Sequence, residues 1–385
     1  MNNDRLNTQS ITIDRLRPLL ALMVVGLHVR PYYTTGTETF FDGVYEASVI
    51  TVFRILFSVA VPFFFLISGF YFFKGLNEWD TSLWKAKIKK RAGSLLVPYI
   101  IWNIIALAGY PLTRLAGFLV KGAPFPDILA QMNERGWLRL FWNRGLYGEI
   151  NEGTANLLGW IVNTGAPMNA PTWFLRDLMV VILFTPLIWW LIRHFGKGFI
   201  IITGLLYLID IWIPVSGFSS SAFFLFSIGA WLSLTGKDLV WLSQKRPLLQ
   251  AAIALVLMFV AAMTLGSSQL LYLVSSRLFI IFAIPVLFRL TSVVPVQERC
   301  QKIIADMSRS SFFVYVVHTV LITDALNWIL SYFIHTQNKA VLFILLTIST
   351  ITVYLVCHLI WLFMDRYMPK TLKLLTGNRS VDRLK

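Results

Sequence analysis

Residues 14–28 read DRLRPLLALMVVGLH, and this stretch decides the fold. After Arg17 and Pro18 the run is apolar until His28, the composition of a helix that enters a bilayer. An ionisable side chain inside such a helix is costly in hydrocarbon, so it is placed toward the bundle interior or a wet cavity. Arg17 and His28 stand eleven positions apart, nearly three helical turns. That spacing projects them within ~20° of each other and separates them by ~16 Å along the axis. Ala21, Val24 and Val25 lie between them, so the sequence predicts a narrow face with room for a slender ligand. Taken singly, each residue has a plainer reading. His28 is explained by interhelical hydrogen bonding, and Arg17 by the preference of arginine for cytoplasmic helix ends.

The rest of the chain has the same character. Of its 385 residues, 57% are hydrophobic and 14% charged, and mean hydropathy is +0.68. A soluble core of this size could not hide so much apolar surface. At ~20 residues per span, the sequence predicts an all-α polytopic membrane protein of about ten transmembrane helices. The expected spans are 13–33, 49–73, 94–120, 172–193, 198–215, 220–236, 248–266, 271–293, 309–335 and 340–364. Residues 1–12 are then an N-terminal tail, 13–364 one membrane domain, and 365–385 a basic tail. With the N-terminus inside, most of the 34 lysines and arginines fall on one side, which predicts that both termini are cytoplasmic. The net charge of +15 therefore reads as a basic membrane face in contact with lipid, not as a nucleic-acid surface. Cys300 and Cys357 do not form a disulfide framework, no metal-ligand spacing or phosphate-binding glycine loop occurs, and no cleavable signal peptide is visible. The longest connection, 121–171, is expected on the outer side; its stretch MNERGWLRLFWNRG reads as amphipathic and interfacial. No paired broken helices of the transporter kind stand out.

Other candidates follow along the chain. In VAVPFFFLISGFYFF, Pro62 frees a backbone carbonyl and Ser68–Gly69 permit close approach, by a neighbouring helix or by a ligand. In WKAKIKKRAGSLLVPY, Lys85, Lys87, Lys89, Lys90 and Arg91 form a run suited to anionic lipid or to the phosphates of a soluble donor. PTWFLRDLMV places Trp173, Arg176 and Asp177 at an outer mouth, within reach of a polar acceptor or in a structural ion pair. SSFFVYVVHTVLITD places Tyr315 and His318 inside the ninth expected span, with Asp324 deeper. His194, His335 and His358 attract no role.

Taken in order, these runs resemble the acyltransferase family 3 membrane proteins, the group of the bacterial O-antigen and exopolysaccharide O-acetyltransferases. The resemblance is carried by Arg17–His28, by Pro62–Phe70, by Lys85–Tyr99, by Trp173–Leu175 and by Tyr315–His318. It departs at Ser94, where the family often has a second arginine, and it does not account for 121–171. It implies a multi-pass enzyme of the bacterial inner membrane. Such an enzyme takes an acyl group, usually acetyl, from cytoplasmic acyl-CoA to a hydroxyl of a glycan or glycolipid at the outer face. It implies no tightly bound cofactor, acetyl-CoA being a donor substrate. The family's essential histidine and arginine match His28 and Arg17. Donor contacts are expected at Arg17, Lys87, Lys89, Lys90, Arg91 and Ser68, and acceptor contacts at Trp173, Arg176, Asp177, Tyr315 and His318. The competing expectation is a transporter or flippase for a lipid-linked glycan, which also accounts for the spans and the intramembrane charge. The oligomeric state and the acceptor are not legible.

Overall fold

The computed structural model describes residues 3–29, 49–76, 78–121, 137–143, 165–213, 215–265, 267–323, 325–326 and 338–378. Most of the connection 121–171, together with Asp324 and His335, lies outside them. The described residues are organised as helices. In chain order these are α1 (Asn3–His28), α2 (Ala60–Phe73), α3 (Thr81–Arg91), α4 (Val97–Lys121), α5 (Trp173–Leu183), α6 (Thr185–Phe195) and α7 (Lys197–Leu208). There follow α8 (Ser220–Leu234), α9 (Pro247–Thr264), α10 (Gln269–Val293), α11 (Glu298–Val317), α12 (Lys339–Tyr367) and α13 (Pro369–Thr376). Among the described residues, five helices are long and apolar enough to cross a membrane, or six when the bent pair α5–α6 is counted as one span. The protein is all-α and polytopic.

Three features differ from the sequence expectation. First, α1 starts at Asn3, inside the segment expected to be a tail. Gln9 is fully buried and its Oε1 accepts a hydrogen bond from the Leu239 backbone N–H at 2.7 Å, which anchors the second turn of the helix. Second, the fourth expected span is bent by 61° between α5 and α6. Pro186 sits in the first turn of α6 and cannot donate to the preceding helix, so the ladder stops at Phe184. Thr185 repairs the break: its hydroxyl donates to the Ile182 carbonyl at 2.6 Å and accepts from Trp84 Nε1 at 2.9 Å. Third, the ninth expected span begins earlier, at Glu298, and opens into a π-helical turn at His318–Ile322. A wider turn cannot be read from apolar periodicity, and such turns recur at functional sites.

The centre of the bundle is set by α2, which is buried on nearly every side. α1 runs antiparallel to it. Tyr71, near the end of α2, lies beside Gln9, Ser10 and Arg17, while Gly26, near the end of α1, lies against Phe53 and Phe57 at the approach to α2. A second antiparallel partner, α8, crosses α2 backbone to backbone at Gly69 and Gly229. The helix α3, which carries the basic run, starts at Asp80. Its carboxylate accepts from the Ser82 hydroxyl at 2.6 Å and from the backbone N–H groups of Ser82 and Leu83. Those bonds, the Ser82 hydroxyl first, hold the carboxyl below its ordinary pKa.

Candidate functional site

α1 and α11 deliver two imidazoles to one point. The rings of His28 and His318 have centroids 5.0 Å apart and planes inclined at 67°. Each is fixed in the same way: Nδ1 lies 2.8 Å from the Val24 carbonyl in His28 and 3.1 Å from the Val314 carbonyl in His318. A carbonyl only accepts, so in each neutral ring Nδ1 carries the proton and Nε2 keeps the lone pair. His318 is fully buried and its Nε2 has no partner among the described residues. His28 is half-buried, which leaves it the more accessible of the two.

Of the other sequence candidates, Tyr315 leads from this pair to an aromatic cluster that includes Trp173. Tyr315, one turn before His318, donates its hydroxyl proton to the Pro171 carbonyl. Its ring meets Phe174 edge-on at 5.9 Å, and Phe174 in turn lies 4.7 Å from Phe65 of α2. Trp173 lies 6.4 Å from the same Phe65. Runs far apart in the chain thus converge on one aromatic cluster. The Arg176 guanidinium is buried: Nε donates to Asp177 at 2.9 Å, and Nη1 donates to the Gly165 carbonyl at 2.8 Å and to the Trp142 carbonyl. Arg176, held by Asp177, therefore ties two described parts of the long connection, at Trp142 and Gly165, to the bundle. Trp137–Trp142, the described core of the expected amphipathic stretch, is pinned in the same place by Leu140 packed among Tyr110 and Met168.

Arg17 lies elsewhere. It is 47% exposed and paired with Asp14 at 2.7 Å. The residues between it and His28 are packed shut: Leu20, Ala21, Val24 and Val25 are each 0–1% exposed. The face predicted as a slot is filled by helix packing, chiefly along α11. Because α1 and α2 are antiparallel, Arg17 does share an end of the bundle with the basic helix. Lys87 donates to the carbonyls of Phe72 and Lys74, at 2.8 Å to the latter, and so caps the C-terminal end of α2. Lys85, Lys89 and Lys90 are exposed, Arg91 is half-buried, and none has a carboxylate partner among the described residues. Ser68 is half-buried beside the α2–α8 crossing.

A buried amide network, missed in the sequence, holds the chain on either side of His318. Asn103 Nδ2 donates to the Tyr99 carbonyl at 2.8 Å and to Thr172 Oγ1 at 3.1 Å, and its Oδ1 accepts from the Asn169 N–H at 2.8 Å. Asn169 Nδ2 donates at 2.8 Å to the Val316 carbonyl, and its Oδ1 accepts from Thr319 at 3.0 Å. One side chain thus bonds to the Val316 carbonyl before His318 and to the Thr319 hydroxyl after it. The signal was present as an asparagine inside the apolar run IIWNII and another in MNAPTW. Asn169→Leu is expected to cost about 2–3 kcal/mol, because it takes the side-chain partner from the Thr319 hydroxyl and the Val316 carbonyl at once; unfolding in detergent titration measures it.

Residues 11–359 match the acyltransferase-domain family. The chain belongs to the acyltransferase 3 family. A curated relative is the succinoglycan biosynthesis protein ExoH of Rhizobium meliloti, 28% identical over 243 residues. That match covers 61% of this chain and 57% of the relative, so the chain spans a little over half the length of that protein. No solved structure matches the chain.

Proposed function

We propose that the protein is a ten-span acyltransferase of the bacterial inner membrane, with both termini cytoplasmic. In this reading it moves an acyl group, acetyl first among them, from cytoplasmic acyl-CoA to a hydroxyl of a glycan or glycolipid at the outer face. The observation that carries the reading is the His28–His318 pair, with two Nε2 lone pairs presented inside a membrane protein of this family. His28, the accessible ring, takes the proton of the acceptor hydroxyl as its oxygen attacks the thioester carbon. The carbon–sulfur bond breaks, an ester forms, and the proton leaves on the CoA thiol. The carbonyl lock on Nδ1 keeps Nε2 as the basic atom throughout. His318 and Tyr315 shape the space behind it, and Trp173, Arg176 and Asp177 hold the outer wall. The kinship with a succinoglycan biosynthesis protein supports a polysaccharide acceptor.

The donor's phosphates rest on Lys89, Lys90 and Arg91, which have no carboxylate partner among the described residues, and on Arg17, which exchanges its Asp14 partner for phosphate at the same end of the bundle. Ser68 stands along the donor's way inward. Because Leu20, Ala21, Val24 and Val25 are closed, the pantetheine arm passes beside that face rather than within it. The α5–α6 bend favours the competing flippase reading to the extent that transporters use discontinuous helices.

Purified protein in lipid nanodiscs, given acetyl-CoA labelled in the acetyl group and an exopolysaccharide fragment, decides between them. Release of CoA in step with labelling of the glycan is expected; glycan translocation without use of acetyl-CoA overturns the reading. Replacing Lys89, Lys90 and Arg91 together by glutamine is expected to raise the KM for acetyl-CoA by about tenfold with kcat little changed. Lys87→Gln is expected instead to lower stability by about 1 kcal/mol, since its bonds go to the end of α2.

A further inference from the structure

A second polar feature lies away from the histidine pair and is assigned to nothing above. It is a cavity of about 300 Å³ between the approach to α2, the end of α7, the start of α8 and the first turns of α10. On the proposed topology all four of these lie at the outer face. Its walls carry two guanidiniums, Arg54 and Arg277, and two phenols, Tyr207 and Tyr272. Serine hydroxyls complete them, at 58, 276 and 219–221. Such a lining is expensive among apolar helices unless something polar fills it. Its volume is at the lower end for ligand sites, the size of a single sugar ring with a substituent.

The groups in the wall are not equivalent. Arg277 is committed: Nη2 lies 2.6 Å from Asp210 Oδ1, Nη1 donates to the Tyr207 carbonyl, and the guanidinium lies over the Tyr207 ring at 4.9 Å. It is a fixed wall with its charge neutralised. Arg54 is exposed and has no carboxylate partner among the described residues. Ser58 donates to the Ile55 carbonyl at 2.6 Å and Ser276 to the Leu273 carbonyl at 3.1 Å. With their protons so used, both hydroxyls offer lone pairs to the cavity. A ligand that fits must therefore donate hydrogen bonds to these oxygens and bring one negative charge to Arg54. Inorganic phosphate satisfies the charge and is poor in donors; a neutral sugar satisfies the oxygens and leaves the guanidinium alone.

The cavity is joined to the histidine pair by one element. The segment Ile50–Leu56 is a π-helical turn. Phe53 from this turn and Phe57 just after it rest on α1 at Gly26, where an added Cβ would lie 3.2 Å and 2.4 Å from their rings. Gly26 is two residues before His28. Arg54 and Ile55 of the same turn, with Ser58 beyond it, line the cavity. The extra residue of the π-turn thus presents aromatic side chains to the histidine helix and Arg54 to the cavity.

We propose that this cavity is the acceptor subsite and takes one sugar residue bearing a carboxylate. Arg54 holds the carboxylate, and Ser58 and Ser276 accept from ring hydroxyls. The inference rests on the acyl-transfer reading above and adds the class of acceptor to it. Saturation-transfer NMR on the full protein in nanodiscs, with glucuronate, glucose and inorganic phosphate as probes, tests it. Glucuronate is expected to bind more tightly than glucose and to resist displacement by phosphate. Arg54→Gln is expected to weaken glucuronate about tenfold and leave glucose unchanged, whereas Arg54→Lys keeps most of the affinity. Equal binding of glucuronate and glucose, displacement by phosphate at equal concentration, or unchanged binding in Arg54→Gln overturns the subsite. Label release from acetyl-CoA by the unaltered protein reads the parent hypothesis separately. Turnover without glucuronate binding removes only the subsite, and glucuronate binding without turnover removes only the transferase.

Discussion

His28→Ala is expected to lower acyl transfer by about a hundred- to ten-thousandfold, the range for loss of a positioned general base, while the protein still inserts and folds. The imidazole is half-buried at the last turn of α1, where the Val24 carbonyl fixes its tautomer. Little of the fold depends on its Nε2 edge. His318 provides the contrast that separates chemistry from packing. Its Nε2 is a buried acceptor without a partner among the described residues, a group that ordinarily costs about 1–3 kcal/mol. His318→Leu removes that cost and keeps the volume, so stability is expected to stay level or rise while transfer falls. A stable and fully active His318→Leu protein would return that ring to plain packing. Full activity in His28→Ala would end the catalytic assignment. Both variants are read by glycan labelling and by thermal unfolding in the same nanodiscs.

The sequence carried the membrane character and the identity of the unusual side chains, because both are properties of composition and short spacing. It did not carry which of them meet. His28 and His318 are 290 positions apart, and nothing in either run encodes a 5.0 Å approach. Arg17 shows the converse error. Helical periodicity puts it near the His28 azimuth, but periodicity says nothing about what packs on that face, where Leu20, Ala21, Val24 and Val25 are closed by neighbouring helices, α11 chief among them. Lys87 reads as one more lysine in a basic run until its Nζ is seen on the end of α2. Arg176 and Asp177 read as a mouth and serve as a tether. Two of the three π-turns among the described residues, at Ile50–Leu56 and His318–Ile322, and the Asn103–Asn169 network depend on backbone detail below the resolution of an apolar pattern. They lie where the histidine pair and the cavity are built, which is where local rules are expected to give way.

Gly229→Val is expected to prevent stable assembly of the bundle, and Gly69→Ala and Gly229→Ala to cost about 3 kcal/mol each, the upper range for overpacking. At Gly229 an added Cβ would lie 2.0 Å from the Leu66 carbonyl oxygen and 2.7 Å from the Phe70 nitrogen. At Gly69 it would lie 2.0 Å from the Phe226 carbonyl oxygen. The obstacles are backbone atoms, so no side-chain rotation relieves them, and α2 and α8 must separate. Between membrane helices, close van der Waals contact and Cα–H···O approach take the place of the hydrophobic drive that holds soluble helices together. Separation therefore forfeits the main attraction of the pair. Gly198→Ala is the control, since nothing lies within 4 Å of its added Cβ and the substitution is expected to be neutral or slightly stabilising. The double variant Gly69→Ala/Gly229→Ala should cost less than the sum of the two, because the first substitution already opens the gap the second needs. Strict additivity in steric-trap or detergent unfolding would show that the two glycines do not share one crossing. The same displacement reaches the chemistry. α2 sets Phe65 against Phe174, which meets Tyr315 one turn from His318. A shift of ~1 Å at the crossing is enough to lower transfer about a hundredfold even in molecules that remain folded. The glycine of the SGF run thus acts on catalysis through the spacing of α2 and α8, with no contact to either substrate.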